Sequence, residues 1–161
     1  MANYSAPLLY NAVTTTFKSS GVLWAGATAR RLMLYEVEFG QAGTLSSTDC
    51  QNQWDLSRIG NTVTLVGTTV VTNLLDPADG ASNALFMNAV STEPCYTTAG
   101  NGLNLKSWSI NQRGSYRFRC LDDGDNIIVP ATAGFGLGVR TLSISGGFAA
   151  SAVGSISFIE R

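Results

Sequence analysis

Histidine is absent from this 161-residue chain. Its absence removes the commonest general acid/base and transition-metal ligand, and with it any Ser-His-Asp or Cys-His arrangement drawn from this chain alone. Charge is also scarce: 13 % of residues are charged, about half the roughly 25 % of an ordinary soluble domain. Lys18 and Lys106 are its two lysines, and the formal net charge is -1. No basic field exists to neutralise phosphates, so nucleic acid is not an expected partner. No apolar run approaches the roughly 20 residues of a spanning helix, so a membrane is not expected either. The opening residues, Met1 to Pro7, lack a positive leader followed by a long apolar stretch, and the expectation is a protein made in the cytoplasm without a signal peptide. Cysteine is limited to Cys50, Cys95 and Cys120, an odd number at wide spacing that reads as free, packed thiols and not as a disulfide framework.

What is abundant points to strands. Glycine occurs 17 times and serine plus threonine 32 times, which suits short strands joined by small-residue turns, and 45 % hydrophobic content argues against disorder. Residues 1–16 are weakly patterned, contain Pro7, and read as an extended N-terminal arm. Residues 17–161 read as a single domain. From Arg31 to Phe39, Met33, Tyr35, Val37 and Phe39 share one face at period two. The other face, Leu32, Leu34, Glu36 and Glu38, is half apolar and is expected to be covered by another subunit. Residues 53–59 alternate again, residues 62–72 read as a strand broken or bulged at Gly67, and Asp76-Pro77 signals a helical turn. Further strands are read over 103–110, 114–121, 127–129, 139–144 and 154–159. The predicted fold is all-β, an antiparallel sandwich with jelly-roll or immunoglobulin-like topology.

Candidate sites are few. Asp122, Asp123 and Asp125 could offer oxygens to a cation, but the EF-hand spacing fails at Ile127 and Ala133, and a tight turn is the simpler reading. Gly134-Phe135-Gly136-Leu137-Gly138 lacks the third glycine of a dinucleotide loop, since Val139 stands there and a strand follows. Glu36 and Glu38 form an in-strand carboxylate pair, better suited to ion pairing with Arg117 and Arg119, across strands or across subunits, than to catalysis. Trp24, Trp54 and Trp108 could form a sugar-stacking platform, though core packing is the commoner fate of strand aromatics. No cofactor, metal or catalytic residue is expected.

The segments Leu75-Asp76-Pro77-Ala78-Asp79, Glu93-Pro94 with Tyr96-Thr97, Asn111-Gln112-Arg113, Tyr116-Arg117-Phe118, Ile128-Val129-Pro130-Ala131-Thr132 and Gly138-Val139-Arg140, with Trp54-Asp55-Leu56-Ser57-Arg58 upstream, resemble the capsid cement, or head decoration, proteins of tailed bacteriophages, including those infecting cyanobacteria. The resemblance is collinear over roughly residues 30 to 161. The three cysteines and the Asp122–Asp125 acidic turn depart from it, which bears on surface detail more than on fold. It implies a jelly-roll, a homotrimer on the exterior of an icosahedral capsid, contacts with the major capsid protein, and no catalytic residues. The charge-poor composition fits such burial against partners. The arm residues Tyr4, Leu8, Leu9 and Tyr10 are expected to reach the capsid or a neighbour, and Glu36, Glu38, Arg117 and Arg119 to contribute across the trimer. The alternative expectation is a glycan- or receptor-binding module of a phage tail or fibre.

Overall fold

The computed structural model of the protein describes residues 2–11, 13–26, 30–44, 46–60, 65–92, 104–132, 134–144 and 150–161. Twelve strands follow in order: β1 (Ala2–Tyr10), β2 (Lys18–Ala25), β3 (Leu32–Gly43), β4 (Gln51–Ile59), β5 (Val66–Val70), β6 (Asn73–Leu74), β7 (Ala84–Thr92), β8 (Asn104–Asn111), β9 (Tyr116–Arg119), β10 (Ile127–Val129), β11 (Gly136–Ser143) and β12 (Ala150–Glu160). Among the described residues the helical content is one 3-10 turn, Asp123–Asp125. The strands form two antiparallel six-stranded sheets. The front sheet runs β10-β3-β12-β1-β6, with β9 beside β10 on the same flank of β3, and the back sheet runs β5-β7-β2-β11-β4-β8.

Residues alternating on facing strands fill the space between the sheets. Tyr4, Ala6 and Leu8 of β1 and Ala152, Ile156 and Phe158 of β12 meet Leu23, Trp54, Leu56, Phe86, Leu137 and Val139 of the back sheet in one core. Phe39 stacks on Trp54 at 4.7 Å between ring centroids. Burying such a side chain is worth about 1.5 to 3 kcal/mol. Gly21 is required at one close approach, because a Cβ there would collide with the side chains of Leu8 and Phe86.

The N-terminal segment corrects the expected arm over 1–16. Residues 2–10 are a full strand between β12 and β6, paired from Ala2 opposite Glu160 to Tyr10 opposite Ala152. Pro7 is tolerated there for a specific reason. Asn3 turns its carbonyl toward β6, accepting from the Leu75 N–H at 3.0 Å, so residues of the same parity face that side. At Pro7 the two-residue β6 has ended, no ladder donor is needed, and the Pro7 carbonyl accepts from Asn88 Nδ2 at 3.4 Å.

A second correction concerns β3. Ser157 stands opposite Glu36 and Phe158 opposite Leu34, which leaves Tyr35 as an extra residue. This bulge switches the phase of the strand. Leu32 and Leu34 before it, and Val37 and Phe39 after it, all enter the chain's own core. The apolar face that the sequence reserves for another subunit is therefore filled from within. The interruption expected at Gly67 is present as a register shift between Val66 and Thr68. The Asp76-Pro77 signal makes a turn, in which the Asp76 side chain accepts from the Ala78 N–H at 2.9 Å.

Candidate interaction face

The two central strands of the front sheet turn their core residues inward, so the alternate positions face out. From β1 these are Asn3, Ser5, Pro7 and Leu9, and from β12 they are Ser151, Val153, Ser155 and Ile159. The register sets Leu9 against Val153, Pro7 against Ser155 and Asn3 against Ile159. None of these eight is charged, and most are small. The result is a neutral surface across the middle of the sheet.

A charged ladder borders this surface. Strand β9 pairs with β3 so that Glu36 lies opposite Arg119 and Glu38 opposite Arg117. Arg117 Nη2 donates to Glu36 Oε2 at 2.6 Å and its Nε lies 3.1 Å from Glu38 Oε1, while Arg119 Nε is 3.7 Å from Glu36 Oε2. The hydrogen bond and the charge of Glu36 hold the Arg117 guanidinium above its ordinary value. Both arginines are more than half exposed. All four residues find their opposite charge within one chain, on adjacent strands, so bridging to a neighbouring subunit is not needed to neutralise them.

Two open grooves flank the ladder. One, of about 590 Å³, is lined by Glu38, Gly40, Arg113, Ser115, Tyr116 and Arg117 among others. The second, of about 600 Å³, lies between Leu75 and Leu121, with Tyr35, Arg119, Cys120 and Ile159 in its walls. Leu121 is 89 % exposed. Partial burial pushes the Cys120 thiol up from its ordinary value, aided by the charge of Asp125, which leaves it protonated and a weak nucleophile at neutral pH.

The residues singled out from the sequence are thus divided. Glu36, Glu38, Arg117, Arg119 and Leu9 lie on the outer side of the front sheet. Tyr4 and Leu8 do not: both are buried in the core, and Tyr10 packs against it, because β1 is a strand and not a free arm. The tryptophans form no platform. Trp54 is buried, Trp108 packs against the same core, and Trp24 joins a small cluster with Val22 and Ile59 on the back sheet. Asp122 to Asp125 close a tight turn, with the Asp125 N–H donating to the Asp122 carbonyl at 3.0 Å. Cys50 and Cys120 are free thiols, and Cys95 lies outside the described residues. Among the described residues there is no group of three or more potential metal ligands, and no helix long and apolar enough to cross a membrane.

One cluster was not singled out by sequence reasoning. Asp55 of β4 points to the outer side of the back sheet, yet its side chain is fully buried there. Its Oδ1 accepts from Ser107 Oγ at 2.7 Å and Gln53 Nε2 at 3.1 Å, and its Oδ2 from Asn104 Nδ2 at 3.0 Å and Arg140 Nη2 at 3.3 Å. The Arg140 guanidinium stacks over Phe17 at 4.4 Å. A lone aspartate in a strand carries no spacing signal, since three of its four partners come from two distant strands, β8 and β11.

Comparison of the chain with protein-family models, with curated proteins and with solved structures finds no match.

Proposed function

We propose that this chain is a non-enzymatic virion structural protein: a jelly-roll that assembles as a homotrimer, binds the exterior of an icosahedral phage capsid and cements neighbouring major capsid subunits. The observation that carries the proposal is the neutral outer face of the front sheet. Docking a charged surface against a partner costs desolvation, whereas Ser5, Leu9, Val153 and Ser155 can be covered with little penalty. Closed cyclic assembly would cover this face in every copy. The jelly-roll reading is supported by strand order. With β5, β6 and β7 set aside as an excursion between β4 and β8, and β9 with β10 taken as one interrupted strand, the order is β9/β10-β3-β12-β1 over β2-β11-β4-β8. Two interlocked Greek keys produce that order. The short motifs resembling phage decoration proteins supply the capsid as partner.

A protein that binds the assembled shell better than free capsid subunits stabilises the shell by mass action, with no chemistry required. The deciding measurement is the copy number of this chain per purified particle relative to the major capsid protein. A fixed ratio in the hundreds supports the proposal, and absence from particles overturns it. On the isolated protein, light scattering should report a trimer, and Val153→Arg, which places a charge between Leu9 and Gly40 on the neutral face, should give a folded monomer.

A further inference from the structure

One end of the front sheet carries an apolar row across its outer side. Leu74 stands opposite Tyr4, so the next residue, Leu75, comes opposite Asn3, and its N–H donates to the Asn3 carbonyl. Asn3 stands opposite Ile159, Ile159 opposite Met33, and Met33 opposite Ile128. The residues beside them in the chain, Tyr4, Phe158, Leu34 and Ile127 among others, pack in the core, which sends the row to the opposite side of the sheet. The groove of about 600 Å³ lies over Leu75, Asn3 and Ile159, with Tyr35, the extra residue of the β3 bulge, also in its lining. At its far wall stands Leu121, which at 89 % is the most exposed large apolar side chain among the described residues.

We propose that Leu121 of one copy seats in this groove on the next copy, and that three such contacts close a ring. The inference rests on the homotrimer proposed above and names the contact that holds it.

Self-complementarity selects a second copy as the occupant. The projection and the hollow each leave apolar surface in water, and each needs the other's shape. A partner that carries both covers both with one kind of contact, and this chain carries both. The groove wall also holds one charge of each sign, Arg119 and Asp122, so an identical copy meets no excess of like charge there. Along β1 and β12 the row continues through the pair Ser5 and Ser157 into the neutral face, so a copy seated on the groove extends over that face as well.

The placement of the two parts favours a ring. A projection that enters a different patch on its neighbour makes a head-to-tail contact, which closes when the rotation between copies is a whole fraction of a turn. Leu121 lies at the edge of its own chain's groove. A threefold axis passing beside that edge turns each Leu121 away from its own hollow and toward the next one.

The test uses the full chain. Light scattering compares the wild type with Leu121→Asp, which charges the projection, and Asn3→Trp, which fills the hollow. Both positions are exposed, so circular dichroism and the melting temperature should stay unchanged. Each variant should weaken self-association about tenfold or more, as on loss of a buried anchor, and Leu121→Met should retain it. A benzoylphenylalanine placed at position 121 and irradiated in a mixture of isotope-labelled and unlabelled protein should cross-link between copies, to the peptides that contain Asn3 or Ile159. A wild-type trimer that Leu121→Asp and Asn3→Trp leave intact would overturn this contact while the homotrimer stands, as would cross-links confined to one chain. A wild type that is monomeric at every concentration would overturn the homotrimer and this contact with it.

Discussion

Both outer faces of the sandwich set carboxylates against guanidiniums, under opposite conditions of exposure. On the front sheet, Glu36 and Glu38 meet Arg117 and Arg119 in a ladder whose arginines are mostly in solvent. On the back sheet, Asp55 is fully buried and accepts four hydrogen bonds, one of them from Arg140, whose side chain is 17 % exposed. The number of ion pairs favours the front sheet, but the energetic consequence of disrupting them favours the back. On the front sheet the two arginines and Glu38 can re-solvate if a partner is lost, while Glu36, 12 % exposed, is the one ladder charge that is itself largely covered. Behind Phe17, Asn104 and Ser107 there is little water to take over, so an unpaired charge would be stranded.

The largest effect should follow from breaking the buried pair. Asp55→Ala is expected to cost about 3 to 5 kcal/mol by urea unfolding, because it removes the buried carboxylate that Arg140, Asn104, Ser107 and Gln53 share. A loss no greater than that of Glu36→Ala would erase the distinction between the faces. Next, neighbouring residues of β1 contrast inside with outside. Leu8→Ala should cost about 2 to 5 kcal/mol as a core cavity, whereas Leu9→Ala should stay within about 0.5 kcal/mol in the isolated chain and appear instead as weaker self-association in sedimentation. Removal of residues 2–12 should accordingly unfold the protein, which circular dichroism would show.

The third effect is a pH dependence. Burial pushes the Tyr4 phenol above its ordinary value, with the negative charges of Glu160 and Asp79 adding to it. The folded state then holds this proton more tightly than the unfolded chain, so stability is complete below the ordinary phenol range and falls as pH rises toward the folded value. Tyr4→Phe should flatten that alkaline slope in a series of thermal melts, while losing the bond from Tyr4 Oη to the Gly80 carbonyl at 2.8 Å. The smallest effect belongs to the ladder. Glu36→Gln should move the unfolding midpoint slightly at low salt, and the difference should vanish as salt is raised.

Much of this architecture was legible in the sequence, and the exceptions have physical causes. The all-β class followed from composition and alternation, and β4 and β9 lie where period two places them. Strand β1 was hidden by Pro7, although Tyr4, Ala6, Leu8 and Tyr10 alternate through it. The cost of proline depends on whether a neighbour needs its N–H, and the neighbour here is a two-residue strand. The inward turn of Leu32 and Leu34 was hidden because one bulge at Tyr35 reverses the faces of β3, and a bulge leaves no trace in the residue types. In the candidate site, the ladder could be read from Glu-x-Glu and Arg-x-Arg. The neutral face could not, because it alternates between β1 and β12, segments about 150 residues apart that only the fold brings together.

That separation bears on how the molecule is made. Strand β12 sits between β3 and β1, so the two earliest strands of the front sheet have no direct ladder with each other. Without Ala150–Glu160 between them, the facing edges of both strands have no ladder partner. Pairing across such a sequence separation is intrinsically slow and leaves strand edges open to aggregation until it is complete, so the yield of folded protein should rise when refolding is run at lower concentration.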